Sequence, residues 1–280
     1  MDADCSFDHD AVENILIPFY LDERIGGVGG NVKIRESDTL CSKLQAIEYL
    51  KSISVGRIVT SYLGIYRIIS GAFGAFPDGC VEASRLLWDI GLSLDGDITV
   101  KLRKSRYRIY FEPSAVCLTT GPKKFKVLWK QRSRWSRSIV RFRFRKHNDV
   151  LTPHQNFRWT DFIAFAENMF YNVILDFKWF IYFFDVAIHY SRFLTIILPF
   201  NLILYVITGY LQMIAIAMFS ERAKEERKLL PYVPLMVPYV AIFLRACRTL
   251  AYIREFLFKT SYQDPWNPQK SSHQAVINGY

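Results

Sequence analysis

The feature that most limits how this chain can fold is a run of 27 residues without a charged side chain, at positions 193–219. A helix needs about 20 consecutive apolar residues to cross the hydrocarbon core of a bilayer. Pro199 lies near one end of the run, where a membrane helix tolerates a kink. We therefore predict a transmembrane helix over 193–219.

Two other segments extend the membrane-like part of the chain. Residues 229–244 carry no charge, and Arg245 and Arg248 can lengthen the run if their side chains reach lipid headgroups, so a second span or hairpin arm is expected there. Residues 156–190 mix aromatic rings with charges, which is typical of a membrane interface. If this segment includes a span, there are three spans and the basic loop 221–228 is cytoplasmic, as the positive-inside tendency favours. If it lies on the surface, there are two. We expect three.

The first half alternates helix-like and strand-like segments, which favours an α/β layered structure. Predicted helices are 11–20, 43–63, 82–90, 98–104 and 125–140, and predicted strands are 28–34, 67–76, 107–111 and 115–118. We therefore predict an α/β domain over 1–146, interfacial and transmembrane helices over 147–260, and a polar C-terminal tail over 261–280.

Charge is unevenly distributed in a chain whose formal net charge is +10. The stretch 101–146 contains 16 Lys or Arg and one acid, Glu112. This density suits phosphate-bearing ligands or an anionic membrane, and a solvated basic face is the simpler alternative. No nucleic-acid partner is expected, because the run adjoins membrane-like sequence and matches no nucleic-acid module. The five cysteines form no CxxC pair, which argues against a disulfide framework or zinc site.

Two short acidic motifs contain candidate catalytic groups. Asp2 and Asp4 flank one residue, and such oxygen ligands suit Mg²⁺ or Mn²⁺ bound together with a diphosphate. Asp95 and Asp97 flank a glycine, and a carboxylate here can act as general base on a hydroxyl group. The simpler interpretations are an acidic surface turn for the first pair and a cap of helix 98–104 for the second.

The sequence QRSRW lies in the basic region, just before the membrane-like part of the chain. On a helix, Gln131 and Trp135 are four residues apart and Arg134 is three from Gln131, so all three can face one site. Trp stacks on sugar rings, Arg binds phosphate and Gln hydrogen-bonds hydroxyl groups. The alternative is a Trp that anchors a basic helix at a membrane interface.

The order of these motifs, followed by membrane spans, resembles the processive glycosyltransferases of family 2, the relatives of cellulose, chitin and hyaluronan synthases. The resemblance covers about residues 1–250. Further matching segments are GNVK at 30–33, QAIEYL at 45–50, ISGAFG at 69–74, FEP at 111–113 and KQRSRWSR at 130–137.

The resemblance implies a partial GT-A-like catalytic domain with assigned roles. Asp2 and Asp4 are expected to hold the nucleotide diphosphate and a metal, Mg²⁺ or Mn²⁺. Asp95 is expected to deprotonate the acceptor hydroxyl for inverting transfer. The implied partners are a nucleotide sugar, with a UDP-sugar expected, a growing polysaccharide and the lipid bilayer. The implied location is the inner membrane, multi-pass, with the catalytic part in the cytoplasm.

The same resemblance assigns the acceptor side of the site. Gln131, Arg134 and Trp135 are expected to bind the acceptor end and the diphosphate. The loop near the acceptor is expected to comprise Ser70, Gly71, Ala72 and Phe73.

Two departures from the family pattern affect these expectations. The acidic residue that usually precedes the base is replaced by Leu94, so one supporting carboxylate is missing. Family members also carry membrane helices and a nucleotide-binding half before the acidic pair, so we expect this chain to be the C-terminal portion of a synthase. The alternative is a catalytically inactive remnant or partner subunit. A third hypothesis is a basic lipid-binding protein without an active site.

Overall fold

The first half of the chain is built on a mixed four-stranded sheet. The structure, a computed structural model, describes residues 4–83, 94–153 and 157–263. Its strands are β1 (Ser6–Phe7), β2 (Ile25–Ile34), β3 (Gly74–Ala75) and β4 (Arg108–Thr119). They pair in the order β1-β4-β2-β3. β2 and β4 are parallel along their whole length, whereas the two-residue strands pair antiparallel at the edges.

Helices surround this sheet. In the described part of the first half they are α1 (Ala11–Leu21), α2 (Leu40–Tyr49), α3 (Gly56–Tyr62), α4 (Asp78–Ala83), α5 (Leu94–Lys104) and α6 (Phe125–Ile139). A π-helical segment, Leu50–Val55, joins α2 to α3, so the predicted helix 43–63 is continuous. The helices predicted over 11–20 and 125–140 are confirmed, and most of the one predicted over 82–90 lies outside the described residues.

The strands differ from the prediction at two places. Segments 107–111 and 115–118 form one strand, because the register with β2 shifts at Asn31 and absorbs Pro113. The Asn31 side-chain amide donates to the Pro113 carbonyl at 3.0 Å and stabilises this irregularity. The strand predicted over 67–76 is wrong apart from β3, since Ile69 and Gly71 donate their backbone N–H groups to side chains of α5.

Both faces of the β2–β4 pair are covered, as a parallel pair requires. On one face, Ile15 of α1 shares a core with Val28 and Cys117. On the other face, Leu102 of α5 packs with Phe111 in a second core. The sheet is therefore a buried platform, and the loops after its strands carry the polar residues.

The second half is helical. In order it contains π-helical Val140–Lys146, 3-10 Asn148–Leu151, α7 (Trp159–Met169), π-helical Phe170–Ile174, α8 (Leu175–His189), α9 (Ser191–Phe219), α10 (Ala223–Arg227), 3-10 Leu230–Leu235, α11 (Met236–Pro238), π-helical Tyr239–Leu244, α12 (Arg245–Phe258) and 3-10 Thr260–Gln263. Within the described ranges, two helical stretches are long and apolar enough to cross a membrane, Ser191–Met218 and Leu230–Phe258.

These two stretches differ in what they contact. In the most apolar window of Ser191–Met218 only 6% of the residues are buried, so this helix exposes apolar side chains nearly all round. Leu230–Phe258 is bonded to earlier segments of the chain at two points along its length. Tyr239 donates its hydroxyl to Glu48 at 2.7 Å, and Arg145 donates to Glu255 at 2.7 Å.

The apolar side chains of the second stretch also belong to a shared core. Met236 and Leu244 pack in one cluster with Leu44 of α2 and Leu128 of α6. This cluster joins residues on both sides of position 146, where the sequence predicts a domain boundary. The division into 1–146, 147–260 and 261–280 stays a prediction.

Arg245 and Arg248 do not extend towards lipid headgroups as expected. Both guanidinium groups pair with the buried Asp176 of α8, at Nε–Oδ distances of 3.4 Å and 2.6 Å. Because Asp176 is buried, its attraction to the two guanidinium groups is screened only weakly by water. The ion pairs are therefore favoured over extension of the two arginines towards lipid headgroups. The N-terminal end of α8 is therefore fixed against α12.

Candidate active site

A cavity of about 870 Å³ opens beside the C-terminal ends of β2 and β4. Its walls come from the loop 68–72, the start of α5, α6 and the residues that follow β4. Clefts outside the carboxyl ends of parallel strands are the usual ligand sites of α/β folds. The predicted site residues that line it are Asp4, Ser70, Gly71, Ala72, Asp95, Gln131, Arg134 and Trp135.

Asp95 is held by the loop that faces it. The Gly71 N–H donates to Asp95 Oδ2 at 2.8 Å. A Cβ atom at Gly71 would lie 2.6 Å from Asp95 Oδ1, so this approach requires glycine. The bond fixes one carboxylate oxygen against the loop.

Thr99 strengthens this arrangement from inside α5. Its side chain is fully buried, and its hydroxyl donates to the Asp95 carbonyl at 2.7 Å while accepting the Ile69 N–H at 3.0 Å. Sequence reasoning missed Thr99. The available signal was a hydroxyl residue four positions after Asp95, one helical turn away.

The prediction that Asp95 or Asp97 caps helix 98–104 is wrong. α5 begins at Leu94, so both carboxylates lie inside its first turn. Asp97 is buried and bonded to side chains from the segment after α6, as described below. Acidic side chains in a first turn interact favourably with the positive end of the helix dipole.

α6 brings the three residues of the QRSRW sequence to the cavity. Gln131 and Arg134 are half-buried, and Trp135 is 38% exposed. The spacing therefore places them in one cavity, as predicted. Their roles stay predictions.

Arg132 is a cavity residue that sequence reasoning missed. Its guanidinium lies over the Trp135 ring at 4.5 Å and pairs with Glu48 at 3.1 Å. Burial lowers the pKa of Arg132, but the Glu48 carboxylate outweighs burial and holds the pKa above its usual range. Glu48 also accepts the Tyr239 hydroxyl, so the C-terminal helices are bonded to the cavity wall. In a basic run, sequence alone gives no sign of which cation is paired.

Phe73 does not line the cavity. It is fully buried in the core beside Phe7, with ring centroids 4.7 Å apart, and its carbonyl accepts the Gly30 N–H. An apolar ring next to a turn packs inward because burial removes its surface from water. Its expected contact with an acceptor is therefore not supported by its position.

The expected metal ligands, Asp2 and Asp4, lie at the start of the chain. Within the described residues, no group of three or more His, Cys, Asp or Glu could hold a metal ion. The exposed Asp4 lines the cavity, and Asp2 lies outside the described residues. A carboxylate at the cavity edge suits a hard divalent cation that takes its remaining ligands from a diphosphate and water.

The fold and the cavity define an α/β protein with a polar site beside a parallel strand pair. Residues 1–138 match the model of the family described as glycosyltransferase like family 2. These residues therefore form a domain similar to glycosyltransferase family 2, which confirms the family resemblance that the motif order indicates.

Named relatives match the same segment. Poly-beta-1,6-N-acetyl-D-glucosamine synthase of Staphylococcus aureus is 36% identical over 138 residues, which cover 49% of this chain and 33% of the relative. The protein of the same name from Staphylococcus epidermidis is 34% identical over 138 residues, with the same coverage of 49% and 33%. The chain thus spans about a third of the length of these relatives.

Proposed function

We propose that this protein transfers a sugar from a nucleotide-sugar donor to a growing polysaccharide at a membrane, with inversion at the anomeric carbon. The observation that carries the proposal is the single cavity that gathers Asp95, Gln131, Arg134 and Trp135. The similar synthases are named for a polymer of N-acetyl-D-glucosamine, which supports a nucleotide-activated N-acetylglucosamine as the first donor to test. The expected carrier is UDP.

Asp95 is the proposed general base. The Gly71 N–H donates to Oδ2 and orients the carboxylate, which accepts the proton of the acceptor hydroxyl. The acceptor oxygen then bonds to the anomeric carbon while the bond from that carbon to the diphosphate breaks. The nucleoside diphosphate leaves with the electron pair. A positioned base of this kind contributes roughly 10²–10⁴-fold to a rate.

α6 supplies the proposed acceptor and diphosphate platform. The exposed Trp135 ring is suited to stack on the terminal sugar of the acceptor. Arg134 and Gln131 line the same wall and are suited to a diphosphate oxygen and a hydroxyl group. Arg132 lies against the Trp135 ring and holds the ring in place.

A divalent cation fits the acidic end of the cavity. Asp2 and Asp4 would hold Mg²⁺ or Mn²⁺ together with diphosphate oxygens. When bound, the ion offsets the negative charge that develops on the departing diphosphate. Arg132 and Arg134 are among the arginines that line the same cavity, and we propose that they face that charge from the protein side.

We further propose that α8 and α9 form a hairpin inserted in the membrane. The residues after α9 return to the first half, since Lys33 pairs with Glu226 at 3.0 Å and Arg222 with Asp8 at 2.6 Å. The start of α8 is bonded to α12 through Asp176 and Arg248, and α12 packs against α6. We therefore place both open ends of the hairpin beside the catalytic half.

This arrangement supports the expectation that loop 221–228 lies on the cytoplasmic side, with the catalytic half. It changes the proposed place of Leu230–Phe258. That stretch is bonded to α2 through Tyr239 and to the segment after α6 through Glu255, so we propose that it lies along the protein at the membrane surface. The count of three spans stays a prediction that this arrangement does not favour.

The test is transfer by the purified full chain in lipid nanodiscs. We expect labelled N-acetylglucosamine to enter polymer from its UDP donor with Mg²⁺ or Mn²⁺, and Asp95→Asn to abolish incorporation. Asp10→Asn is the matched control, because Asp10 is exposed and its side chain makes no capping hydrogen bond to α1. The competing function, favoured by Leu94 in place of an acid, is a non-catalytic subunit of a synthase. It predicts no transfer from any donor by a chain that still inserts in membranes.

A further inference from the structure

A buried charged cluster lies on the side of α5 that faces away from the cavity. The Asp97 carboxylate is 1% exposed and is approached by three nitrogen groups. His147 Nε2 lies 2.7 Å from Oδ1, and the ammonium groups of Lys146 and Lys101 lie 3.0 Å and 3.2 Å from Oδ2. Burial raises the pKa of Asp97, but the His147 hydrogen bond and the lysine charges outweigh burial and lower the pKa to about 2.

The hydrogen bonds of His147 fix its tautomer. Its Nδ1 lies 2.8 Å from the ammonium of Lys104, which can only donate, so Nδ1 accepts. The ring proton is therefore on Nε2 and is donated to Asp97. Burial lowers the pKa of His147, which agrees with a neutral ring between a carboxylate and an ammonium group.

The position of Asp97 on α5 links this cluster to the site. Asp97 follows Asp95 by two residues, so the two side chains point about 200° apart around the helix. Asp95 faces the cavity, and Asp97 faces Lys146 and His147. Those two residues end the helical segment that continues directly from α6, which carries Trp135.

We propose that Asp97, Lys146 and His147 form a clamp that fixes Asp95 relative to Trp135. None of the three lines the cavity, so they are positioning residues and not catalytic residues. The clamp holds the first turn of α5 from behind, while Gly71 holds Asp95 from the front. The proposal deepens the proposed function, because it rests on Asp95 acting as the base.

A purely structural role for the cluster makes a different prediction. It would lower the thermal midpoint of unfolding without changing the turnover of the molecules that remain folded. The clamp instead predicts a loss in kcat with little change in the KM for the nucleotide sugar. A displacement of about 1 Å in a reacting group costs roughly 100-fold in rate.

The experiment compares Asp97→Asn, His147→Gln and Lys146→Arg with a control on the edge of the same cluster. Asp149→Asn is the control, because Asp149 pairs with Lys104, has a side chain that is 46% exposed, and does not contact Asp97. For each full-length variant in nanodiscs, kcat and KM are measured together with hydrogen exchange of residues 94–104. His147→Gln provides the test if Asp97→Asn does not fold.

We expect Asp97→Asn and His147→Gln to lower kcat by about tenfold or more, with KM within about twofold and faster exchange in α5. Lys146→Arg keeps the cation and should retain most activity, as should Asp149→Asn. Folded Asp97→Asn or His147→Gln with the wild-type kcat and exchange would overturn the clamp, as would an equal loss in Asp149→Asn. If the wild type itself shows no turnover, the proposed function fails, and unchanged exchange in the variants then separately overturns the clamp.

Discussion

Gly71→Ala tests how closely the proposed base must be held. A methyl carbon at this position would lie 2.6 Å from Asp95 Oδ1 and 2.9 Å from Oδ2. An ordinary van der Waals contact begins at 3.4 Å, so the nearer oxygen must move by about 0.8 Å. The carboxylate also accepts the Gly71 N–H at 2.8 Å, so it cannot swing away without losing that bond.

We expect this displacement to lower kcat by roughly 30- to 100-fold, which corresponds to about 2–3 kcal/mol of transition-state stabilisation. The KM for the nucleotide sugar should change by less than about twofold, because the lost interaction acts on the reacting hydroxyl. Stability should change little. Gly71 has no left-handed φ, so alanine restricts the unfolded chain, which stabilises by about 0.4–1 kcal/mol and offsets part of the cost of moving the carboxylate.

The assay is the initial rate of nucleoside diphosphate release, with thermal unfolding measured on the same preparations. Gly79→Ala is the matched control, because a Cβ atom at Gly79 meets nothing within 4 Å. A Gly71→Ala protein with the wild-type kcat would refute the reasoning. It would mean that the Asp95 carboxylate is not held at this loop or does not act in the reaction.

Three other substitutions address the cavity wall, the clamp and the membrane. Glu48→Gln removes the charged partner of the half-buried Arg132, so we expect roughly 2 kcal/mol lower unfolding free energy and a several-fold higher KM for acceptor, since Arg132 also supports Trp135. His147 has a folded pKa lowered by burial from 6.5, so the unfolded state takes up its proton first as pH falls. The thermal midpoint of unfolding should therefore decrease as the pH is lowered below about 6.5, and this decrease should be smaller in His147→Gln. Ile203→Lys places a charge in the middle of α9 and should cost about 2.5–3.5 kcal/mol of insertion, which is seen as less protein in carbonate-washed membranes.

Each of these expectations has an outcome that contradicts it. Unchanged acceptor KM in Glu48→Gln, against the exposed control Glu23→Gln, would show that Arg132 does not orient the Trp135 ring. An identical pH dependence in His147→Gln would place the titrating group elsewhere. If Ile203→Lys stays in the washed membranes as fully as the wild type, the placement of α9 in the bilayer is contradicted.

Much of the fold could be predicted from the sequence where a periodic pattern is local. The charge-free run gave α9 within two residues, and helical spacing gave α1 and α6. The three motif residues on α6 meet at the cavity because a spacing of three or four on a helix fixes their common face. These features depend mainly on residues that are close to one another in the sequence.

Features that depend on distant partners could not be predicted in this way. Residues 67–73 contain apolar and glycine residues like a strand, but side chains of α5 bind their backbone groups. Pro113 should end a strand, yet Asn31 on β2 allows β4 to continue past it. Asp97 looks like a helix cap until Lys146 and His147 are placed beside it.

The membrane part shows the same limit. Composition makes 229–244 and 193–219 look alike, because both lack charges. The difference arises from bonds to residues far away in sequence, such as Tyr239 with Glu48. An apolar run identifies a helix that must be covered, and only the packing shows whether lipid or protein covers it.

The most direct test of the central claim is a single-turnover experiment with enzyme in excess of labelled UDP-N-acetylglucosamine and with polymer acceptor present. We predict that Asp95→Asn binds the donor with a dissociation constant within about twofold of the wild type, and transfers the sugar at least 10²-fold more slowly. Transfer by Asp95→Asn at the wild-type rate would contradict the assignment of this cavity as a base-catalysed glycosyl transfer site.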